Sequence, residues 1–350
     1  MTAMVIVAGG SGTRLQSVIG EVPKVLAPIG EVANIVRLLG LAVEFGYRKV
    51  FVLTGHGDGR IRRFLESDST AQGLDLAVIK EPAPLGTAGC FLGLPSEFND
   101  RMFVIYGDIS CDFDIGRFER FHAHAGCVAT ILTQPNGHNE DSDLLKVDAN
   151  GKIVEVRRKP HPRNHDYGNL TNAAAYILEP SVLNLVPNEP CDWFHHVFPA
   201  AIAAGIDVKA YQSWEYLQDY GEPAWYRKAQ EDESKGLLGR RRANGLCVGG
   251  LFVNCRGHSD VSPDIIASVK MFNADRLPLC LCGPEAESIQ TKLSKRNAYA
   301  DHLLVEFVDG EVNSLSQQFG FVGRQSRVIS LAEFLPSRAQ QLIEQTGNGC

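Results

Sequence analysis

The chain has 350 residues, 44% of them apolar and 21% charged, and a formal net charge of −7. That length holds two domains and a substantial core. The negative balance argues against bulk binding of nucleic acid or of an anionic membrane, so any grip on phosphate must come from a local cluster of Lys and Arg. In chain order, residues 4–7, 49–54, 75–79 and 102–106 are short apolar runs that read as strands. Residues 32–45 and 58–66 read as helices between them. Strands separated by helices predict a mainly parallel sheet covered on both faces, with ligands beyond the carboxyl ends of the strands.

Residues 127–133, 144–147 and 153–157 read as shorter strands, the last two joined around Asn150-Gly151, a hairpin signal. Residues 160–168 are polar and turn-rich, 173–178 a strand, 193–204 a helix and 208–212 a strand. Around 231–242 the chain becomes charged and glycine-containing, a linker or a helix end. A smaller α/β pattern then restarts: strands at 246–254, 279–282 and 303–308, and helices at 263–273, 290–298 and 331–345. Domains are expected at 1–236 and 237–350. Nine cysteines, with none in a CxxC pair, fit a reduced, cytoplasmic setting. The apolar start runs straight into a loop and does not read as a secretory leader. No apolar run is long enough to span a bilayer. His122 and His124, and the adjacent His195 and His196, lack a partner at zinc-ligand spacing and read as solvated or capping residues.

The most informative stretch is the loop after the first strand. Ala8-Gly9-Gly10-Ser11-Gly12-Thr13-Arg14-Leu15 is followed by Pro23-Lys24. Glycines let backbone N–H groups approach an anion, and Arg14 and Lys24 add two positive charges. Neither the Walker pattern nor the Rossmann GxGxxG is present. A loop of this make-up suits a polyphosphate.

These residues resemble the signature of the nucleotide-sugar pyrophosphorylases, the sugar-1-phosphate nucleotidyltransferases, and the resemblance covers about the first two-thirds of the chain. It implies a Rossmann-like α/β fold with a mixed, mainly parallel sheet, followed here by a smaller C-terminal α/β domain. It also implies an enzyme that transfers a nucleoside monophosphate from a nucleoside triphosphate to a sugar 1-phosphate and releases pyrophosphate, with Mg²⁺ as cofactor. By the same resemblance Arg14 steadies the departing pyrophosphate and Lys24 lies beside the α-phosphate. Ala8, Gly9, Gly10, Gly12, Thr13, Gly86 and Thr87 fall on the nucleotide-binding positions. Asp108, after the apolar strand in Val104-Ile105-Tyr106-Gly107-Asp108, and Asp219, in Asp219-Tyr220-Gly221-Glu222-Pro223, match the two metal ligands. Glu222 departs from the family pattern, which has Thr there.

Glu81 opens the segment that matches the base reader, where related thymidylyltransferases have Gln. An ionised carboxylate only accepts hydrogen bonds, and guanine offers two adjacent donors, so Glu81 leans towards GTP. A ribose hydroxyl or a loop cap are its other readings. On the sugar side, Lys159 fits the lysine that grips the sugar phosphate, and Asn172 fits a hydroxyl binder in a segment where Ala174 replaces Gly. Arg158 stands where a glutamate is usual, which reverses a charge. The subgroup most resembled acts with GTP on heptose and mannose 1-phosphates, and Arg158 suggests a cyclitol 1-phosphate such as valienol 1-phosphate as a further acceptor. A glucose-1-phosphate nucleotidyltransferase using another triphosphate, and a non-catalytic sensor, are the alternatives. A homo-oligomer is expected; nucleic acid and membrane are not expected partners.

Leu251-Phe252-Val253-Asn254-Cys255-Arg256-Gly257 faintly resembles the first motif of haloacid-dehalogenase-like phosphatases, with Asn254 and Arg256 in place of its two aspartates. An amide cannot accept the phosphoryl group and an arginine cannot hold Mg²⁺. The segment is read either as an inactive phosphatase-like domain or as a generic α/β extension.

Overall fold

The computed structural model describes residues 2–135, 142–148, 150–161, 170–213, 215–238, 251–274, 279–282, 285–295, 303–306, 327–330, 332 and 335–337. The expected segments at 160–168, 231–242, 246–254, 290–298, 303–308 and 331–345 lie partly outside them. Two compact units divide the chain. One comprises Met1–Leu132, Ala173–Lys209 and Tyr216–Arg240, the other Thr133–Asn172, Ala210–Glu215 and Arg241–Cys350.

In the first unit, Thr2–Ala8 pairs in parallel with Lys49–Thr54 on one side and Arg101–Tyr106 on the other. Asp75–Lys80 extends the sheet in parallel beyond Lys49–Thr54. Ala175–Leu178 closes the other side antiparallel to Met102–Ile105. The sheet is therefore mixed and mainly parallel, as the alternation of strands and helices predicted. Ala3, Met4, Val5 and Ile6 are all fully buried, the mark of a strand covered on both faces.

The expected helix at 32–45 is observed as Asn34–Glu44. It starts late because Val32–Ala33 pairs with Pro28–Ile29 in a small hairpin. The helix Pro223–Ser234 carries Pro at its first turn, where the missing N–H costs nothing. It grips that hairpin through the Tyr226 hydroxyl, which donates to the Pro28 carbonyl at 2.7 Å, and through Gln230, which bonds Gly30 N–H at 2.7 Å. The expected helix at 193–204 begins as a wide turn, with Val197 N–H bonded to the Asp192 carbonyl five residues back, and regularises at Phe198–Ala203.

A two-stranded antiparallel sheet of Ile109–Asp112 and Tyr216–Asp219 was not expected from the sequence. Its register sets Asp219 opposite Ile109, which brings the two acidic motifs together.

The helix Ile115–Ala125 was also unforeseen, and it corrects the reading of His122 as a solvated or capping residue. His122 is 1% exposed and occupies an inward position with Ile115 and Phe118. Burial is tolerated because both ring nitrogens have partners: Thr130 Oγ1 at 2.7 Å and Glu179 Oε1 at 3.1 Å. Arg101 also bonds Glu179, from its Nε at 2.7 Å, and the Cys127 thiol lies 3.3 Å from Thr130 Oγ1. Burial, reinforced by Arg101, pushes the imidazole below its usual range against the opposing pull of Glu179. A base with a depressed folded pKa stabilises the fold fully above its unfolded value, near 6.5, and loses that contribution as pH falls towards the folded value. Thermal unfolding of wild type is therefore expected to shift down more between about pH 7.5 and pH 5.5 (about one unit either side of the reference pKa) than unfolding of His122→Gln. Parallel curves would contradict this.

In the second unit, Leu144–Val147 and Ile153–Arg157 form the expected antiparallel hairpin. Its turn is organised by Asp148, whose Oδ1 accepts from the N–H groups of Asn150 and Lys152, both at 2.9 Å. The C-terminal segment contributes a parallel sheet in the order Leu303–Glu306, Leu279–Cys282, Leu251–Asn254, Arg327–Ser330. Asn254 Oδ1 accepts from Arg256 N–H at 3.0 Å, so the amide braces the loop after its strand. No described helix is long and apolar enough to cross a membrane. Cys90, Cys111, Cys127, Cys191 and Cys255 are buried thiols.

Candidate active site

The site of the first unit is assembled at the carboxyl ends of its parallel strands, where open α/β sheets bind their ligands. Ala8 ends the first strand, and the loop from Gly9 to Arg14 follows. Gly10, Ser11, Thr13 and Arg14 are exposed. Gly12 has a φ of 67°, and a Cβ there would meet Lys24 Cγ at 3.0 Å. Glycine thus lets the loop lie directly on the lysine stem. Lys24 opens the short turn Lys24–Leu26.

Asp108 sits between the strands Arg101–Tyr106 and Ile109–Asp112, and its Oδ2 lies 3.0 Å from Lys24 Nζ. Asp219 arrives on the strand Tyr216–Asp219, and its Oδ1 accepts from Gly221 N–H at 2.6 Å. Gly221 is the cradle of the site. A Cβ there would meet Asp219 Oδ1 and Lys24 Nζ at 3.1 Å each, and Asp108 Oδ2 at 3.4 Å. Two carboxylates and an ammonium thus converge on one point. Desolvation within the site and the neighbouring Asp108 charge raise the Asp219 carboxyl above its usual range, against the pull of Gly221 N–H, Lys24 and Arg14. Such a pair favours a further cation. Hard oxygen donors beside an open cradle fit Mg²⁺, which binds through one or two carboxylates and takes its other ligands from phosphates and water. Among the described residues no group of three or more His, Cys, Asp or Glu side chains is placed to hold a metal ion.

Arg14 makes a 2.5 Å ion pair with Glu222, the residue that replaces the family's Thr. Both are well exposed, at 69% and 48% of their side-chain surface. Arg14 and Lys24 are thus each paired with a carboxylate, of Glu222 and Asp108.

Glu81 follows Asp75–Lys80 and is tied in from both sides. Its Oε2 accepts from Leu85 N–H at 3.0 Å, and its Oε1 lies against the backbones of Gly9 and Gly55. The carboxylate therefore ties the loop 81–85 to itself, and Gly55, absent from the sequence reading, helps to house it. The run Gly55-His56-Gly57 at a strand end was the signal for that loop. Gly86 opens the one-turn helix Gly86–Gly89. The Thr87 hydroxyl and N–H both bond Asp192 Oδ1 at 3.0 Å, and the hydroxyl accepts from Trp193 N–H at 3.2 Å. Thr87 thus anchors the helix start through Asp192, another residue the sequence did not single out. His196 is a capping residue as expected, accepting from Asp192 N–H at 3.0 Å.

The residues matched to the sugar phosphate, Arg158, Lys159 and Asn172, belong to the second unit. Arg158 and Lys159 are exposed after the strand Ile153–Arg157. Asp143 links this region: its Oδ1 accepts from Lys159 N–H at 2.9 Å and its carbonyl from the Thr171 hydroxyl at 2.8 Å, next to Asn172. Ala174 has a φ of 53°. An L side chain in this left-handed region costs about 1 kcal/mol. Ala174→Gly is expected to raise stability by up to about 1 kcal/mol, less the added freedom of the unfolded chain. Chemical denaturation checks this, and a loss of stability would contradict it.

The profile of the nucleotidyl transferase family matches residues 3–236. The mannose-1-phosphate guanylyltransferase catalytic subunit beta of Dictyostelium discoideum is 27% identical over 226 residues, 64% of this chain and 62% of that protein. The probable mannose-1-phosphate guanylyltransferase 1 of Oryza sativa subsp. japonica is 29% identical over 231 residues, 65% of this chain and 63% of that protein. The chain thus spans less than two thirds of the length of these relatives. HddC from Yersinia pseudotuberculosis, complexed with GMP-PN, superimposes with a TM-score of 0.55 at 24% identity, over 67% of this chain and 100% of that one. The inositol-1-phosphate CTP transferase of T. maritima gives 0.56 at 19% identity, over 71% and 98%. At these identities the likeness to solved structures is one of fold.

Proposed function

The chain belongs to the nucleotidyl transferase family, and on that premise we propose that it transfers GMP from GTP to a sugar or sugar-like 1-phosphate. A heptose, mannose or cyclitol 1-phosphate would be the acceptor, and a nucleotide-diphospho-sugar and pyrophosphate the products. The observation that carries the reading is the convergence of Asp108, Asp219 and Lys24 around Gly221. The names of the curated relatives support GTP as donor.

In the proposed reaction an oxygen of the sugar phosphate attacks the α-phosphorus in line. The bond between the α-phosphorus and the bridging oxygen breaks, and pyrophosphate leaves with the electron pair. No protein nucleophile is needed, and the chain's work is positioning and charge neutralisation. Lys24 Nζ meets the charge at the α-phosphate and the Arg14 guanidinium the charge growing on the leaving group. The glycine loop offers backbone N–H groups to the phosphate oxygens. Asp108 and Asp219 would hold Mg²⁺, which neutralises triphosphate charge when bound. Arg158, Lys159 and Asn172 would receive the acceptor.

The bond cleaved is the test. With [α-³²P]GTP and an accepted 1-phosphate, label is expected in the sugar nucleotide; with [γ-³²P]GTP, in pyrophosphate. Label from the γ position in inorganic phosphate alone would mean a triphosphatase and defeat the proposal.

In this reading Glu222 competes with the triphosphate for Arg14. An exposed ion pair is worth up to about 1 kcal/mol, or about fivefold in affinity. Glu222→Thr is therefore expected to tighten GTP binding by up to about fivefold in calorimetry. Weaker binding would show instead that Glu222 supports the nucleotide directly.

A further inference from the structure

Asn34 and Tyr220 are both fully buried, and they meet behind the acidic pair. Asn34 Nδ2 donates to the carbonyls of Gly107 at 3.1 Å and Ile109 at 2.8 Å, the two residues that flank Asp108. The Tyr220 hydroxyl lies 3.0 Å from the Gly107 carbonyl and 3.0 Å from that of Lys24, so its single proton is shared between two acceptors. Tyr220 N–H donates to the carbonyl of Asp108 at 3.1 Å. Three successive carbonyls, at 107, 108 and 109, thus accept hydrogen bonds from this one pair. The same hydroxyl reaches the peptide of Lys24.

Both side chains are fully buried, so neither is placed to touch a substrate. Asn34 also leaves its Oδ1 buried and without a partner among the described residues. A buried unpaired oxygen is unfavourable, and its retention points to the two donated bonds as the reason for an amide at this position.

We infer that Asn34 and Tyr220 are positioning residues that lock the main chain carrying Asp108, and through Tyr220 the adjoining Asp219, into a preformed site for a divalent cation. The inference rests on reading Asp108 and Asp219 as the metal pair. A preformed site loses little order when its ion binds, so the pair acts on the metal-dependent part of nucleotide binding.

The test uses the full chain and calorimetric titration with GTP, with and without Mg²⁺. The ratio of the two dissociation constants measures the contribution of the cation. Wild type is expected to show a ratio of about ten or more, since a tenfold step is 1.4 kcal/mol of coupling. Tyr220→Phe removes the hydroxyl, which frees the Lys24 carbonyl but leaves the Gly107 carbonyl its bond from Asn34. It is expected to keep the unfolding temperature and the Mg²⁺-free affinity, and to shrink the ratio by at least about threefold, a coupling change within the usual range. Asn34→Leu should act in the same direction. An unchanged ratio in folded Tyr220→Phe would overturn the inference. So would an equal weakening with and without Mg²⁺, or loss of the fold, because each marks a purely structural hydroxyl. A wild-type ratio of one would instead overturn the reading of Asp108 and Asp219 as metal ligands.

Discussion

Asp108→Asn is expected to lower turnover by about 100-fold or more while the protein stays folded. The two side chains have the same shape, and the backbone bonds around position 108, from Tyr220 N–H and to its neighbours, do not involve the carboxylate. What changes is charge. Asp108 Oδ2 is one of two carboxylate oxygens that converge at Gly221, and an amide offers no negative charge to Mg²⁺. Unfolding curves that match wild type, together with lost pyrophosphate release, are the predicted pair of results. Full turnover in folded Asp108→Asn would remove Asp108 from the metal site.

Lys24→Ala is expected to cost turnover about as much, 100-fold or more, by withdrawing the charge that meets the α-phosphate. It has a second, separable consequence. Lys24 pairs with Asp108 at 3.0 Å, and its charge also pulls down the Asp219 carboxyl. Without it, two like charges face each other across the cradle, as the raised Asp219 carboxyl already foreshadows. The variant should therefore unfold at a lower temperature than wild type in metal-free buffer, and Mg²⁺ should raise its unfolding temperature more than it raises that of wild type. An equal Mg²⁺ effect on both proteins would contradict this electrostatic account.

Much of the site was legible because its parts are local. A glycine loop, a Pro-Lys pair and a Gly-Asp after an apolar strand each owe their geometry to a few adjacent residues. The strand pattern likewise placed them at one sheet edge. What was not legible depends on distant partners. Asn34 reads as the polar start of an apolar helix, and only the fold brings it to carbonyls 73 and 75 residues away. Glu222 was visible as a departure from pattern, but its pairing with Arg14, 208 residues distant, was not. The helix Ile115–Ala125 was missed because His122 fills an apolar slot, and only Thr130 and Glu179 make that burial tolerable. The short sheet that unites Asp108 with Asp219 has four residues on each strand, too few for periodicity to show.

The measurement that tests the account most directly is pyrophosphate release with Mg²⁺, using each ribonucleoside triphosphate and dTTP against mannose, glucose, heptose and cyclitol 1-phosphates. The account predicts release with GTP and at least one acceptor, strictly dependent on both, and abolished in Asp108→Asn. Folded wild-type protein that binds GTP with Mg²⁺ but releases no pyrophosphate with any of these acceptors would contradict it.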